Sequence, residues 1–297
     1  MTPSTAVLYA AVAALGAATY FIWRRKRVRE ACLKVSEVLP TVVAVDATSF
    51  ARARAHVRAV GGVAAFCEHL REAGIVDAHG MVIPLPKNIF AYIGSTTLQS
   101  GMEGENEALG AAAERFFVAC NLRERDSHFS SDAAEWLGRA AMGARHRLLS
   151  TRDLSWQWFN VLSFGLAGDA KSLRAAIEVL EAMRETARSF AHAMPDWSAE
   201  PERLGLFFHC YPHNSVNSLH LHMVDLSVTG PSFEHITHKN LPLDAVLQVL
   251  RAELAATAQP STTEPWDGEE HLPPVFAGAG VALGVLTLLE LSGTCER

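Results

Sequence analysis

The sequence contains few cysteines and no excess of basic charge. Its five cysteines are scattered and form no C-x-x-C pair, so neither a disulfide framework nor a cysteine zinc site is indicated. A net charge of −6 argues against a broad basic surface for nucleic acid. The hydrophobic content of 49% excludes a disordered chain, and 297 residues are enough for one or two domains with a real core.

An uncharged stretch lies near the start of the chain. Ala6 to Trp23 holds 18 residues without a charge, and a basic cluster follows at once. A helix of this length, at ~1.5 Å per residue, just covers a hydrocarbon core of ~30 Å, and a positive flank stays in the cytosol. We therefore expect residues 1–29 to be an uncleaved membrane anchor, with the body facing the cytosol at the endoplasmic reticulum or an organelle outer membrane. A buried or surface helix is the alternative.

A second apolar stretch lies near the end of the chain. Val275 to Leu289 has 15 residues without a charge and contains a G-x-x-x-G spacing, which allows close helix approach in lipid. Residues 259–273 are rich in proline, serine, threonine and glycine and indicate an exposed linker. The pattern favours a second transmembrane segment at 274–291, with a core or interfacial helix as the alternative.

Residues 30–150 carry no motif that indicates chemistry, and their composition predicts a mostly helical region. Alanine-rich stretches such as 103–125 suit helices, and Asp132 with Glu135 has the spacing of a helix-start capping pair. A basic helix face near the expected anchor is either solvated or in contact with anionic lipid headgroups. It consists of Arg52, Arg54, His56 and Arg58.

Residues 151–258 show a clear order of helix, strand, loop, strand and helix. Asp169 can cap a helix with one apolar stripe that ends before Pro195. A short apolar run at 204–208 and a second run at about 217–228 have strand character, and a last amphipathic helix begins just after Pro242. This order predicts an α+β domain.

The densest group of reactive side chains lies between residues 209 and 222. Because side chains alternate along a strand, Ser218, His220 and His222 should project to one half-exposed face, and the residues between them to the core. Three interpretations remain open on the pattern alone. They are a solvent-facing polar strand, a metal site that adds His209 or His213 as a third ligand, and catalysis by histidine.

The segment 214–223 resembles the signature of the histidine triad (HIT) superfamily. In that signature three histidines alternate with apolar residues, and a serine precedes the first histidine by three positions. Ser215 has the serine spacing, His220 and His222 match the second and third histidines, and Ser218 replaces the first. The resemblance covers about residues 165–255.

Upstream residues are similar to the aprataxin-like and Hint-like branches of that superfamily. There a strand ending in Phe-His leads into a proline-containing loop, as in Phe208-His209 and Pro212 here. The family's Ile-Pro-Lys-x-His segment is not visible before the long helix. The stretch 82–87 is a weak look-alike about 85 residues before Asp169.

The resemblance implies a HIT-like antiparallel sheet with packed helices and a reaction at the α-phosphate of a nucleotide. It implies that His220 is the nucleophile, that His222 contacts phosphate oxygens, and that Ser215 hydrogen-bonds to phosphate. Asn214 would add a donor near the developing charge, and His209 would lie in the pocket. This chemistry requires no metal and no cofactor.

Serine at position 218 leaves two functions from different classes open, because a hydroxyl cannot carry a positive charge. The first is a membrane-anchored nucleotide hydrolase or nucleotidyl transferase that acts on a phosphoramidate, an adenylate or a dinucleoside polyphosphate, with Ser218 in the catalytic group. The second is a catalytically weak nucleotide-binding or scaffold protein at a membrane. Expected partners are a nucleotide, the membrane through the terminal helices and a second copy in a homodimer, but no nucleic acid.

Overall fold

The computed structural model describes residues 17–258 except for positions 21, 24–25, 29, 38–42, 91–97 and 198–199. It has a mixed helix and sheet architecture with one five-stranded antiparallel sheet, in the order β1-β2-β4-β3-β5, so the predicted α+β class is confirmed. The strands are Phe116–Ala119 (β1), His146–Thr151 (β2), Leu204–Phe208 (β3), His220–Asp225 (β4) and Leu241–Pro242 (β5).

The helices surround this sheet. They are Ala47–Ala59 (α1), Gly62–Glu72 (α2), Glu103–Glu107 (α3), Arg123–Ser127 (α4), Ala170–Ala193 (α5), Pro231–His235 (α6) and Leu243–Ala258 (α7). The predicted cap of α5 is confirmed, since Asp169 Oδ1 accepts a hydrogen bond of 2.9 Å from the Ser172 amide. The last helix begins directly after Pro242, as its amphipathic pattern predicts.

The two faces of the sheet differ in what they bury. Leu221 and Met223 project into the main core, which also contains Leu180 of α5 and Leu247 of α7. On the other face Val224 belongs to a smaller cluster with Met142 and Ile236. The sheet takes β1 and nearly all of β2 from the region before residue 151, where the sequence indicated no strand of this sheet.

The prediction of helices around 103–125 and at residue 132 is wrong in part. Only the short helices α3 and α4 and a 3-10 turn form in 103–125, because the run at 116–119 is aromatic and β-branched and is buried as β1. Asp132 and Glu135 lie in successive turns rather than at a helix start. Gly138, with φ of +75°, leaves the right-handed helical region there.

Two side-chain amides cover the outer edge of β1. Asn106 Oδ1 accepts from the Val118 amide at 2.8 Å, and its Nδ2 donates to the Val118 carbonyl at 2.9 Å. Gln99 makes the same pair of contacts with the backbone of Cys120, at 3.0 and 3.3 Å. These carboxamides stand where a further strand would pair, so the edge groups they reach are satisfied.

An ion cluster joins α1 to α7. Arg54, fully buried, donates to Glu253 from Nε at 2.9 Å and from Nη2 at 2.7 Å, and Arg58 donates to the same carboxylate at 2.8 and 2.7 Å. Burial alone would raise the pKa of Glu253, but the two guanidinium groups lower it to about 2. The expectation of a solvated or lipid-facing basic face is therefore wrong for Arg54, whereas Arg58 pairs with Glu253 and stays partly exposed.

The structure contradicts the expected membrane anchor and the membrane localisation drawn from it. Within the part of the chain that is described, no helix is both long enough and apolar enough to span a bilayer. Residues 17–37 are helical wherever they are described, and this stretch carries Arg27, Glu30 and Lys34. Val35 packs in the main core, so one face of it lies against the protein. Residues 1–16 of the expected anchor and the expected segments 259–273 and 274–291 lie outside the described residues.

We expect Glu253→Ala to lower the free energy of unfolding by about 3–5 kcal/mol, because it leaves the buried Arg54 charge without its carboxylate. Urea denaturation measures the change. The matched control is Glu181→Ala, which removes the more exposed ion pairs with Arg184 and Arg251 and should cost less than about 1 kcal/mol. Equal losses in the two variants would contradict a structural role for the buried cluster.

Candidate functional site

Strand β4 presents His220 and His222 on the same face of the sheet. In the sheet register His222 lies opposite Leu148 of β2 and Phe207 of β3, and the centroids of the two imidazole rings are 4.8 Å apart. The predicted alternation is confirmed, since Leu221 and Met223 are buried in the core. The expected half-exposed surface is wrong, because His220 is only 5% exposed and His222 only 6%.

Two further histidines complete a cluster around His222. His146, from the start of β2, has its ring centroid 5.2 Å from that of His222, and His209, directly after β3, has its centroid at 4.1 Å. These four residues, His146, His209, His220 and His222, are called the histidine cluster below. Pairing of β2 with β4 brings His146 to the site from 76 positions away.

Three residues of the site, His146, Asn121 and Asn240, were not predicted from the sequence. A signal for His146 exists, since His146, Leu148 and Ser150 alternate along a strand, but nothing local connects that strand to β4. In the structure Asn121 Nδ2 is 3.0 Å from His146 Nδ1. Asn240 Oδ1 is 2.8 Å from His209 Nε2.

The ring orientation of His220 is fixed by the loop before it. His220 Nδ1 lies 2.8 Å from the Ser218 carbonyl, which can only accept, so Nδ1 carries the proton and Nε2 the lone pair. The Phe90 ring meets the imidazole edge-on at a centroid distance of 5.4 Å. No hydrogen-bond partner of His220 Nε2 occurs among the described residues, so this lone pair is free to react with a ligand.

A backbone ladder holds this loop against residues 87–90. The amides of Asn217 and Ser218 donate to the carbonyls of Lys87 and Asn88 at 2.9 and 2.7 Å. Asn217 Nδ2 also donates to Asn88 Oδ1 at 2.9 Å. The end of the weak look-alike segment 82–87 therefore lies beside the motif in space, although it is far from it in sequence.

Several polar atoms in and beside the cluster are buried without a hydrogen-bond partner in the described part of the chain. They are Ser218 Oγ, His222 Nε2, Asn240 Nδ2, His213 Nε2 and Asn214 Oδ1. Each such group costs about 1–3 kcal/mol if it stays unpaired, and native proteins leave few of them. Most of them lie on β4 or on the loop before it, and Asn240 contacts His209. A polar ligand in this region would supply the partners that these atoms lack.

The expected phosphate-binding residues occupy two different environments. Asn214 Nδ2 donates to the carbonyls of Val216 and Asn217 at 3.0 and 3.3 Å, so its amide hydrogens brace the loop. Ser215 is exposed on the same loop. The structure thus brings His209, Ser218, His220 and His222 together, and it places Ser215 and Asn214 on the loop that leads into them.

Burial keeps the cluster neutral. It lowers the pKa of His146 and of His209 to about 3 and that of His220 to about 4, and it holds the pKa of His222 well below the usual range. The ammonium of Lys239 lowers the pKa values of His209, His220 and His222 further. At neutral pH these rings therefore offer lone pairs and N–H groups without charge.

The geometry does not favour the metal interpretation. Among the described residues no three histidine, cysteine, aspartate or glutamate side chains are arranged to hold a metal ion. The rings instead hydrogen-bond to one another and to amides, as in the contact of 2.9 Å between His146 Nε2 and His222 Nδ1.

We expect stability to fall steeply below pH 6.5. The unfolded chain binds protons on its histidines near pH 6.5, whereas the pKa values of His146, His209 and His220 are about 3 to 4 in the folded protein. Their stabilisation is fully present above pH 6.5 and is lost as the pH falls towards 4, by about 1.4 kcal/mol per pH unit for each histidine.

Denaturation curves at pH 7.5 and 5.5 measure this loss. His209→Gln should show a shallower dependence than the natural protein, because one buried histidine no longer titrates. His238→Gln, at an exposed position, should leave the dependence unchanged. A free energy of unfolding that is constant over this range would contradict the neutral, buried state of the cluster.

Comparison with known proteins adds no family to this description. No protein-family model matches the chain, and no curated protein or solved structure shows a significant similarity to it. The geometry of the histidine cluster is therefore the basis for the function proposed.

Proposed function

We propose that the protein is a HIT-like nucleotide hydrolase or nucleotidyl transferase that acts at an α-phosphate, with His220 as the nucleophile. The observation that carries the proposal is the neutral His220 ring, whose Nδ1–H donates to the Ser218 carbonyl and whose Nε2 lone pair is left free. Beside it lies the buried, unpartnered Nε2 of His222. A nucleophilic lone pair next to groups that lack a partner suits attack on an anionic phosphoryl group.

The reaction proceeds in two displacements. His220 Nε2 attacks the α-phosphorus, the bond from phosphorus to the leaving group breaks, and a nucleotidyl-histidine forms. The positive charge that develops on the ring is stabilised by the hydrogen bond from Nδ1 to the Ser218 carbonyl. Water, or another acceptor in a transferase, then displaces His220 and releases the nucleotide. No base is needed for the first step, because the pKa of His220 near 4 keeps the ring neutral.

Neutral side chains would offset charge on the phosphoryl oxygens. His222 Nε2 and Ser218 Oγ belong to neighbours of His220 in the strand and its preceding loop, and Asn240 Nδ2 belongs to the amide that contacts His209. All three atoms are buried and lack a partner among the described residues. Groups held in place before the reaction stabilise developing charge without reorganisation, and removal of one such donor typically costs about 10²- to 10³-fold in rate. Phosphate oxygens also supply the acceptors that these buried atoms need.

Ser218 favours a second candidate, a catalytically weak nucleotide-binding protein. A hydroxyl at the first triad position can donate or accept one hydrogen bond. Unlike an imidazole, it cannot take up a proton and become positively charged. Its Oγ is buried and unpartnered, so it can still contact a bound nucleotide when turnover is slow.

His220→Ala should abolish release of nucleoside monophosphate from a nucleoside phosphoramidate, an adenylate or a dinucleoside polyphosphate, because the covalent intermediate cannot form. Product release followed by chromatography is the measurement. His238→Ala is the matched control and should retain full activity. The His238 ring is exposed, and its hydrogen bond within the described part of the chain is to the His235 carbonyl at 3.0 Å. Undiminished turnover in His220→Ala would refute the assignment of the nucleophile.

Ser218→His separates the two candidates. An enzyme that serine has slowed should gain at least about tenfold in turnover, the lower range expected when an acid–base group is supplied. Nucleotide binding without turnover in both forms would instead favour the binding protein. Calorimetric titration with a nucleoside monophosphate, alongside the activity assay, distinguishes these outcomes.

A further inference from the structure

The proton position on His146 is fixed by a backbone group. The Met142 amide lies 3.2 Å from His146 Nδ1, and a peptide N–H can only donate. His146 Nδ1 must therefore carry the lone pair. The same lone pair faces Asn121 Nδ2 at 3.0 Å, which orients the carboxamide with its nitrogen towards the ring. Since the ring is neutral, its proton is on Nε2.

This proton determines the tautomer of His222 in turn. His146 Nε2–H points to His222 Nδ1 at 2.9 Å, so Nδ1 of His222 accepts and its own proton lies on Nε2. That Nε2 atom is fully buried and has no partner among the described residues. A series of hydrogen bonds thus runs from Met142 and Asn121 through His146 to His222. It leaves the Nε2–H group of His222 available to donate to an oxygen atom of a ligand.

We propose that Asn121 is a positioning residue and that, with the Met142 amide, it makes His222 a fixed hydrogen-bond donor that does not transfer its proton. The proposal rests on the proposed function. If His222 gave up its Nε2 proton, it would need a replacement through Nδ1 from His146. His146 has none to spare, because its other nitrogen faces a peptide N–H and the ring would become an imidazolate.

The class of preferred substrate follows from this constraint. When His220 attacks and the bond from phosphorus breaks, the leaving atom takes the electron pair and receives no proton through His222. An oxygen of a phosphate or carboxylate departs as a stable anion, whereas an amine needs a proton. The site is therefore expected to favour phosphoanhydrides and acyl phosphates over phosphoramidates, by about 100-fold, the usual contribution of a general acid.

Ring ¹⁵N chemical shifts at pH 7.5 test the proton positions directly on the full chain. His146 and His222 should be neutral with the proton on Nε2, and His220 neutral with the proton on Nδ1. A proton on Nδ1 of His222, or on both its nitrogens, would overturn the proposal. This readout needs no turnover, so it separates failure of the donor chain from failure of the proposed function.

Two substitutions at Asn121 test its role. Asn121→Ala keeps the Met142 amide in place, so the proton should stay on Nε2 of His146. The ¹⁵N signals of the His146 ring should broaden, because the ring loses one of its hydrogen-bond partners. Asn121→Asp replaces a neutral donor with a carboxylate. Its negative charge should outweigh the contact of 3.2 Å from the Met142 amide, so His146 should gain a second proton, on Nδ1. An unchanged proton pattern in Asn121→Asp, with thermal unfolding showing a folded protein, would contradict the positioning role.

The leaving-group preference completes the test. Diadenosine tetraphosphate and an N-alkyl phosphoramidate of adenosine monophosphate are compared by kcat/KM in the natural protein and in Asn121→Asp. The natural protein should favour the anhydride, and Asn121→Asp should narrow the ratio about tenfold because the protonated His146 can now pass a proton to His222. Equal use of both compounds by the natural protein would overturn the inferred substrate class.

Discussion

Much of the described structure depends on the burial of Arg54 against Glu253. Arg54 Nη1 also donates to the Phe164 carbonyl at 2.6 Å, so the ion cluster holds the segment 162–166 as well as α1 and α7. Just before that segment, Asn160 Nδ2 donates to the His209 carbonyl at 3.1 Å. The Arg54–Glu253 ion pair is thereby connected, through the segment 160–166, to the backbone of His209 in the candidate site.

The site itself combines strong burial with incomplete hydrogen bonding. Four imidazoles in contact would repel one another if they were charged, and burial removes that charge. Neutral rings have one donor and one acceptor each, so a hydrogen bond such as that between His146 and His222 fixes where a proton lies. That hydrogen bond leaves the proton of His222 on its buried, unpartnered Nε2 atom. Ser218 Oγ and Asn240 Nδ2 are likewise buried and unpartnered among the described residues. An anion that enters such a site meets oriented dipoles and few mobile charges.

The sequence predicts the elements whose signals are local. The stripe of α5, the cap at Asp169, the two strands β3 and β4 and the start of α7 all follow from periodicity within a short window. The alternation that places His220 beside His222 is a property of any strand. The candidate site could therefore be located, and its nucleophile proposed, before any long-range contact was known.

Contacts between segments that are distant in the sequence could not be predicted from local periodicity. His146 joins the site only through the pairing of β2 with β4, and Arg54 is buried only because Glu253 lies 199 positions further along the chain. The spacing of Asp132 and Glu135 satisfies a local rule that the surrounding turns override. A charged side chain on a helix, such as Arg54, is predicted to be exposed when its ion-pair partner lies far away in the sequence.

The amide pairs along β1 have a consequence for the ageing of the protein. Deamidation of Asn106 would replace the nitrogen that faces the Val118 carbonyl with a carboxylate oxygen, so an attractive contact of 2.9 Å would become repulsive. The covalent damage would uncover the backbone of an apolar strand, which is a template for intermolecular β-pairing. Chemical decay of one buried amide would thus convert a protected sheet margin into a starting point for self-association.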